Sequence, residues 1–389
     1  MPPLQSMNKY DYYKARLAGL SFPYACLDKD LLYQNIATNL SRAGDKKIRI
    51  ASKSIRCAAV MRMVLEYDEQ FQGIMTYNGQ EALFLLEEGF DNLLMGYPIA
   101  EESLLLPLGE AVKKGKTICL MADHIDHLTM INQVGKKLQV AMPVCLDIDL
   151  SDNYPGLRFG VWRSSLTSLN ALEILLDQLP QFPYVRLEGI MGYEAQIAGV
   201  GDKVVGNGLK NRAIRWLKQR SIPRLRKRRR EALQLIQDKG YPVCFVNGGG
   251  TGSLETTSQE DGVTEVTVGS GFFNSHLFDY YQKFQLQAAL FYAIPVVRKP
   301  TADIYTCHGG GYIASGGIEA IKAPQVYLPE GGKLDPLEGA GEVQTPIRFE
   351  HENIDLSIGD PVFLRHAKAG EVCERFNELV VLDVNGLEK

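Results

Sequence analysis

The chain has 389 residues, 45% hydrophobic and 23% charged, with a formal net charge of −4. That length suits two domains, or one large barrel with an accessory, and the composition is that of an ordinary globular protein. The mild acidity gives no argument for a nucleic-acid or membrane partner, and no run approaches the ~18 consecutive apolar residues of a membrane span. The opening MPPLQSMNKYDYYKARL has no apolar core of a secretory leader, so none is expected.

Apolar strand candidates then follow in chain order: IRIASK (48–53), GIMTYN (73–78), NLLMGY (92–97), TICLMAD (117–123), MPVCLDIDL (142–150), LEGIMGYEA (187–195), PVCFVNGGG (242–250) and TEVTVGSG (264–271). Helical patterns lie between them. One is CAAVMRMVLEYDEQ; another is NGQEALFLLEEG, which opens on Asn78 as an N-cap and ends on Gly89. Near-continuous apolar strands alternating with helices imply a parallel sheet covered by helices. Eight such units match a (β/α)8 TIM barrel, usually about 250 residues; an open doubly wound sheet is the alternative.

Residues 199–230 break the rhythm and contain the basic run RLRKRRR, read as a solvated helix face rather than a nucleic-acid patch. Beyond 275 the strands become short and alternating, separated by turns such as PEGGK and SIGD, which suggests an antiparallel β domain. The expected division is a barrel over 22–275 and a C-terminal β domain over 276–389, which residues 1–21 join. Seven cysteines, none in a CxxC pair and several inside apolar runs, read as reduced thiols of a cytoplasmic protein.

A barrel keeps its chemistry at the C-terminal strand ends. Those ends carry Lys53, Tyr77, Asn78, Asp123, Asp147, Asp149, Tyr193, Glu194, Asn247 and two glycine turns. Lysine is a poor strand residue and costly to bury. Lys53 is therefore either a snorkelling strand-end lysine or an amine held to form a Schiff base. FVNGGGTGS and VGSGFF, after strands seven and eight, offer backbone N–H groups for an anion, and barrels commonly bind phosphate there. An aldehyde for the lysine and a phosphate for the turns together describe pyridoxal 5′-phosphate.

At this point the sequence resembles the fold-type III pyridoxal-phosphate enzymes, which share the alanine racemase N-terminal barrel, in the branch of D-threonine aldolase and D-serine dehydratase. PYACLDKDLLYQNI, IASKSIR, EGIMGYEAQIAG, VNGGGTGS, VGSGFF and FEHENIDLSIGDPVFLRHAKAGEVCERFNEL carry the likeness. The resemblance implies that Lys53 forms the Schiff base and that Gly249, Gly250, Thr251, Gly269 and Ser270 hold the phosphate. It implies that Tyr193 lies by the cofactor ring and that Arg158 meets its phenolic oxygen or the substrate carboxylate. His351 would serve the substrate's β-hydroxyl, and His366 would close the active site.

Two positions depart from the family pattern. Ile55 stands where the branch usually has a histidine, and His366 is followed two residues later by Lys368 instead of a cysteine or aspartate ligand. A protonated lysine cannot ligate a metal, so a divalent metal is not expected. His124 and His127 read as a loop and helix start, and His308 as a residue that could face the site from the β domain.

The implied activity is a lyase on a D-β-hydroxy amino acid, by aldol cleavage or dehydration, with an amino-acid racemase as the alternative. A non-catalytic pyridoxal-phosphate carrier would lack the C-terminal third, and a cofactor-free sugar-phosphate barrel enzyme would be colourless. The family further implies a small-molecule amino acid substrate and a homodimer.

Overall fold

The computed structural model describes residues 7–317, 319–350, 354–384 and 386–388. The chain divides into two compact units: Asn39–Lys53 with Cys57–Gly269, and Met1–Thr38 with Ser54–Arg56 and Ser270–Lys389.

The first unit is a closed barrel of parallel strands. They are β1 (Lys47–Ala51), β2 (Phe71–Thr76), β3 (Leu93–Met95), β4 (Ile118–Ala122), β5 (Met142–Asp147), β6 (Val185–Gly192), β7 (Phe245–Gly248) and β8 (Glu265–Val268). Each pairs with its neighbours in chain order, and β8 closes on β1 through Val266↔Ile48 and Val268↔Ile50. The TIM barrel expected from the sequence is thus the fold, and all eight strand candidates are its strands. They form because their residues are apolar on both faces: ICLMA of β4 is buried throughout. The helix Gly79–Glu87 starts where Asn78 caps it, Oδ1 accepting from the Glu81 N–H at 2.7 Å, and Gly89 follows with φ +87°.

The basic stretch forms one helix, Gly208–Asp238. Part of the run is the solvated face that the charge pattern suggested, with Arg224, Lys227 and Arg230 exposed, but most of its arginines also bind neighbouring loops. Arg224 reaches Asp152 at 3.3 Å, Arg226 donates to the Thr256 carbonyl at 2.8 Å, and Arg228 donates to the Asp149 and Ser151 carbonyls at 3.0 and 2.9 Å. The run is basic because loop carbonyls and carboxylates around it need donors.

The second unit is a mixed sheet. Tyr24–Asp28 pairs antiparallel with Leu290–Arg298 and parallel with Leu379–Asp383. The sequence reading placed the barrel edge at residue 22, but strand Tyr24–Asp28 belongs to this second sheet. The remaining strand pairs of the sheet are antiparallel. Helix Lys9–Arg16 joins its core through Tyr13 and the flanking Leu17, which cluster with Cys26, Phe291 and Phe363, and the Tyr13 hydroxyl donates to Asp28 at 2.6 Å. No helix among the described residues is long and apolar enough to cross a membrane.

Candidate active site

Strand alternation decides what the barrel encloses. Arg49 of β1 points inward and grips Glu265 of β8 with two hydrogen bonds of 2.8 and 2.9 Å. Gln72 of β2 and Asn247 of β7 donate to the same carboxylate at 3.0 and 2.8 Å. Phe245 lies beneath the guanidinium, 5.9 Å from ring centroid to Cζ. The fully buried thiols of Cys119 and Cys145 feel both Arg49 and Glu265, which places them in the same interior. These groups form a floor with every charge answered. One layer above it, at the C-terminal strand ends, the side chains turn reactive.

Lys53 sits in a short 3-10 turn just beyond β1, and its Nζ lies 3.0 Å from the hydroxyl of Tyr97, two residues beyond β3. Burial pushes the Tyr97 phenol up, but the Lys53 ammonium and Arg163 outweigh it and hold the phenol below its ordinary value. The Arg163 guanidinium lies 6.0 Å from the Tyr97 ring and 5.6 Å from that of Tyr193, at the end of β6. Burial pushes the Tyr193 phenol up to about 12. Tyr193 in turn touches the glycine turn after β7: a Cβ on Gly250 would stand 3.1 Å from the ring and 2.9 Å from Ala198 Cβ. Lys53, Tyr97, Arg163, Tyr193 and Gly250 therefore form one contiguous line of contacts.

The glycine turn is built from beneath. Glu194, next to Tyr193 in sequence, is 1% exposed. Its carboxylate accepts from the Gly249 N–H at 3.2 Å, Arg229 at 3.0 Å, Ser253 Oγ at 2.9 Å and the Thr257 hydroxyl. Gly249 has φ +82°, a left-handed conformation that favours glycine. The Gly250 N–H donates to Ser253 Oγ at 3.1 Å. The N–H groups of Gly249 and Gly250, expected to face an anion, are thus used to shape the turn itself. Thr251 follows, its carbonyl accepting from Arg42 at 2.6 Å, and Gly269 is the first residue beyond the neighbouring strand β8. An amine at the rim, an aromatic wall and a turn with no room for a side chain fit a flat, phosphate-bearing ring compound.

Asp147 ends β5, on the inward face two residues above Cys145. The Ser164 hydroxyl holds its backbone carbonyl at 2.5 Å. Burial and the neighbouring Asp123 and Asp149 raise its carboxyl to about 7, against the pull of Arg163. Asp123, at the end of β4, is held instead: burial is outweighed by His127, 3.0 Å away, and by the Ser165 N–H at 3.0 Å, so its carboxyl lies below the usual range.

Other residues singled out in the sequence stand elsewhere. Arg158 is committed to Asp149 at 2.7 Å and stacks on Trp162 at 3.9 Å, so the arginine beside the tyrosines is Arg163 instead. Ser270 opens the short helix Ser270–Phe273 in the second unit, 3.3 Å from Ser54 Oγ. His124 caps helix Ile125–Leu138 by accepting from the Asp126 N–H. His308 is exposed at the end of strand Ile304–His308. His351 lies outside the described residues.

His366, in the second unit, is buried. Neither ring nitrogen has a hydrogen-bond partner among the described residues, and burial with Arg365 and His276 holds its pKa well below the ordinary histidine value. Lys368 donates to the Ser315 carbonyl and hydroxyl at 2.9 Å and lies 3.5 Å from Glu371. A buried imidazole followed two residues later by an ammonium already tied to protein oxygens does not fit a divalent ion. Among the described residues no group of three His, Cys, Asp or Glu side chains could hold one.

The family model described as alanine racemase, N-terminal domain, matches residues 27–275. Comparison with curated protein sequences gives no match. Among solved structures, the chain is similar to D-threonine aldolase from Filomicrobium marinum, with TM-score 0.78 and 16% identity over 95% of this chain and 94% of that one. It is similar to D-threo-3-hydroxyaspartate dehydratase from Delftia sp. HT23, with TM-score 0.78 and 18% identity over 96% and 97% of the two chains. For alanine racemase of Clostridium difficile 630 in complex with cycloserine, the TM-score is 0.62 and the identity 16%, over 94% and 97%. At these identities the likeness is one of fold.

Proposed function

Because the chain belongs to the alanine racemase N-terminal domain family, within the fold-type III pyridoxal-phosphate enzymes, we propose that it is a lyase that uses pyridoxal 5′-phosphate to act on D-β-hydroxy amino acids, by aldol cleavage or dehydration. The observation that carries this reading is Lys53 at the rim of β1, its amine 3.0 Å from the Tyr97 hydroxyl. The greater likeness to the aldolase and the dehydratase than to alanine racemase supports a lyase over a racemase.

When bound, pyridoxal phosphate supplies an electron sink for the pair left on the substrate α-carbon. In this reading Lys53 binds its aldehyde carbon and, once freed, moves the proton at the α-carbon. Tyr97 keeps the amine directed to the mouth. Tyr193 forms the wall for the ring, the close-packed Gly250 leaves room on the turn, and the backbone of Thr251 and Gly269 receives the phosphate. Arg163, exposed and balanced between two tyrosine rings, receives the substrate carboxylate. The reading includes a homodimer working in the cytoplasm.

The test incubates the protein and cofactor with D-threonine and D-serine and assays aldehyde, ammonia and keto acid, with D-alanine in deuterated water alongside. Product from the hydroxy amino acids supports the lyase. Deuterium in both alanine enantiomers without such product makes the enzyme a racemase. Gly250→Ala, whose methyl would press on Ala198 and the Tyr193 ring, is expected to weaken cofactor retention roughly tenfold, or about 1.4 kcal/mol. Equilibrium dialysis against pyridoxal phosphate reads this, and unchanged retention would exclude close packing of cofactor on the turn.

A further inference from the structure

The barrel ring places β5 four strands from β1 in either direction. Lys53 and Asp147 therefore rise from opposite sides of the mouth. Asp147 is partly accessible, and its carboxyl makes no hydrogen bond with a described residue, although the other three strand-end acids are all bound: Asp123 by His127 and Ser165, Asp149 by Ser151 and Arg158, and Glu194 by Arg229 and Ser253. Its neighbours are Asp123 just beyond β4, Asp149 two residues beyond the end of β5, Arg163 from the loop that follows, Tyr97 from beyond β3 and Cys145 below. A carboxyl left unengaged at the mouth, across from the amine, is placed for a proton that the amine cannot serve.

We propose that Asp147 is the catalytic residue at the substrate's β-oxygen, taking the hydroxyl proton as the Cα–Cβ bond breaks. The inference rests on the lyase reading and names its substrate class: an amino acid with a β-hydroxyl, cleaved as an aldol. The β-oxygen–hydrogen bond breaks, and the proton joins the carboxylate. The electron pair left on oxygen forms the second bond of an aldehyde carbonyl. The Cα–Cβ pair stays with the α-carbon, which then takes one proton from the Lys53 side, and Asp147 returns its proton to water. Substrate becomes glycine and an aldehyde, with no oxidant or reductant required. A carboxyl that titrates near neutrality suits a general base at physiological pH.

The experiment compares the cofactor-loaded wild type with Asp147→Asn and Asp147→Glu in two assays: aldehyde release from D-threonine, and α-proton exchange of D-alanine, which has no β-oxygen, in deuterated water. Asp147→Asn is expected to slow aldehyde release about 10²–10⁴-fold while changing exchange less than about threefold, and Asp147→Glu is expected to restore part of the loss. The wild-type rate of release should rise through pH about 7, a step the asparagine variant lacks. Equal loss in both assays, or loss in neither while the wild type releases aldehyde, overturns the role of Asp147 and leaves the lyase standing. A wild type that gives keto acid and ammonia but no aldehyde from D-β-hydroxy amino acids overturns this inference and leaves the lyase standing, whereas one that exchanges D-alanine but yields neither aldehyde nor keto acid overturns the lyase reading, and this inference with it.

Discussion

Lys53→Ala is expected to abolish turnover, by at least about 10⁴-fold, while leaving the fold intact. The loss combines the covalent hold on the cofactor with the proton moved at the α-carbon, and the second alone is typically worth about 10²–10⁴. The fold survives because Lys53 is exposed, and substitutions at such positions usually change stability by less than about 0.5 kcal/mol. Wild-type protein with pyridoxal phosphate should show a visible absorption band that borohydride abolishes and fixes to the chain; the variant should bind the cofactor only reversibly. The variant also has an internal reporter. Without the ammonium that holds it down, the Tyr97 phenol should titrate at higher pH, visible in an ultraviolet pH titration. A variant that remains active, or still fixes cofactor on reduction, would remove Lys53 from the mechanism.

The second large effect is on stability. Arg229 is 3% exposed and lies between Glu194, at 3.0 Å, and Glu260. Arg229→Ala leaves the buried Glu194 without its cation and Glu260 with Arg226 alone, 3.9 Å away, a loss typically costing about 3–5 kcal/mol. Chemical denaturation should show it as a lower midpoint. The cost extends to the site, because Glu194 holds the N–H of Gly249 and the hydroxyls of Ser253 and Thr257. Weaker cofactor retention should therefore accompany the lower midpoint. A destabilisation below about 1 kcal/mol would mean that the carboxylates find other partners or take up protons.

The eight barrel strands were legible because a parallel sheet buried on both faces writes itself as apolar runs between helices, and even the three-residue β3 stood out as NLLMGY. Tyr24–Asp28 was harder to place. Its apolar run followed by a helix looks like the start of a barrel, and only its pairing with residues near 290 and 380, invisible locally, assigns it to the other sheet. Lys53, Tyr193 and the glycines could be found because residue type and strand-end position agree. Arg163 could not: it and Arg158 lie five residues apart in one loop, and the hairpin of Asp152–Tyr154 with Leu157–Phe159 turns one toward Asp149 and leaves the other against the tyrosines. Asp147 and Asp149 stood equal in the sequence, and only their partners separate them. Most of the basic run's arginines misled for the same reason, since a charge pattern does not record whether its charges are already answered.

The floor of Arg49, Glu265, Asn247 and Gln72 has a consequence for traffic. Because these side chains are bonded to one another across the interior, with the sulfurs of Cys119 and Cys145 beside them, the barrel is a cup rather than a tube. Anything resting on it has no way out through the floor, so within the barrel it comes and goes by the strand-end side, and whatever still occupies the cup bars the next arrival.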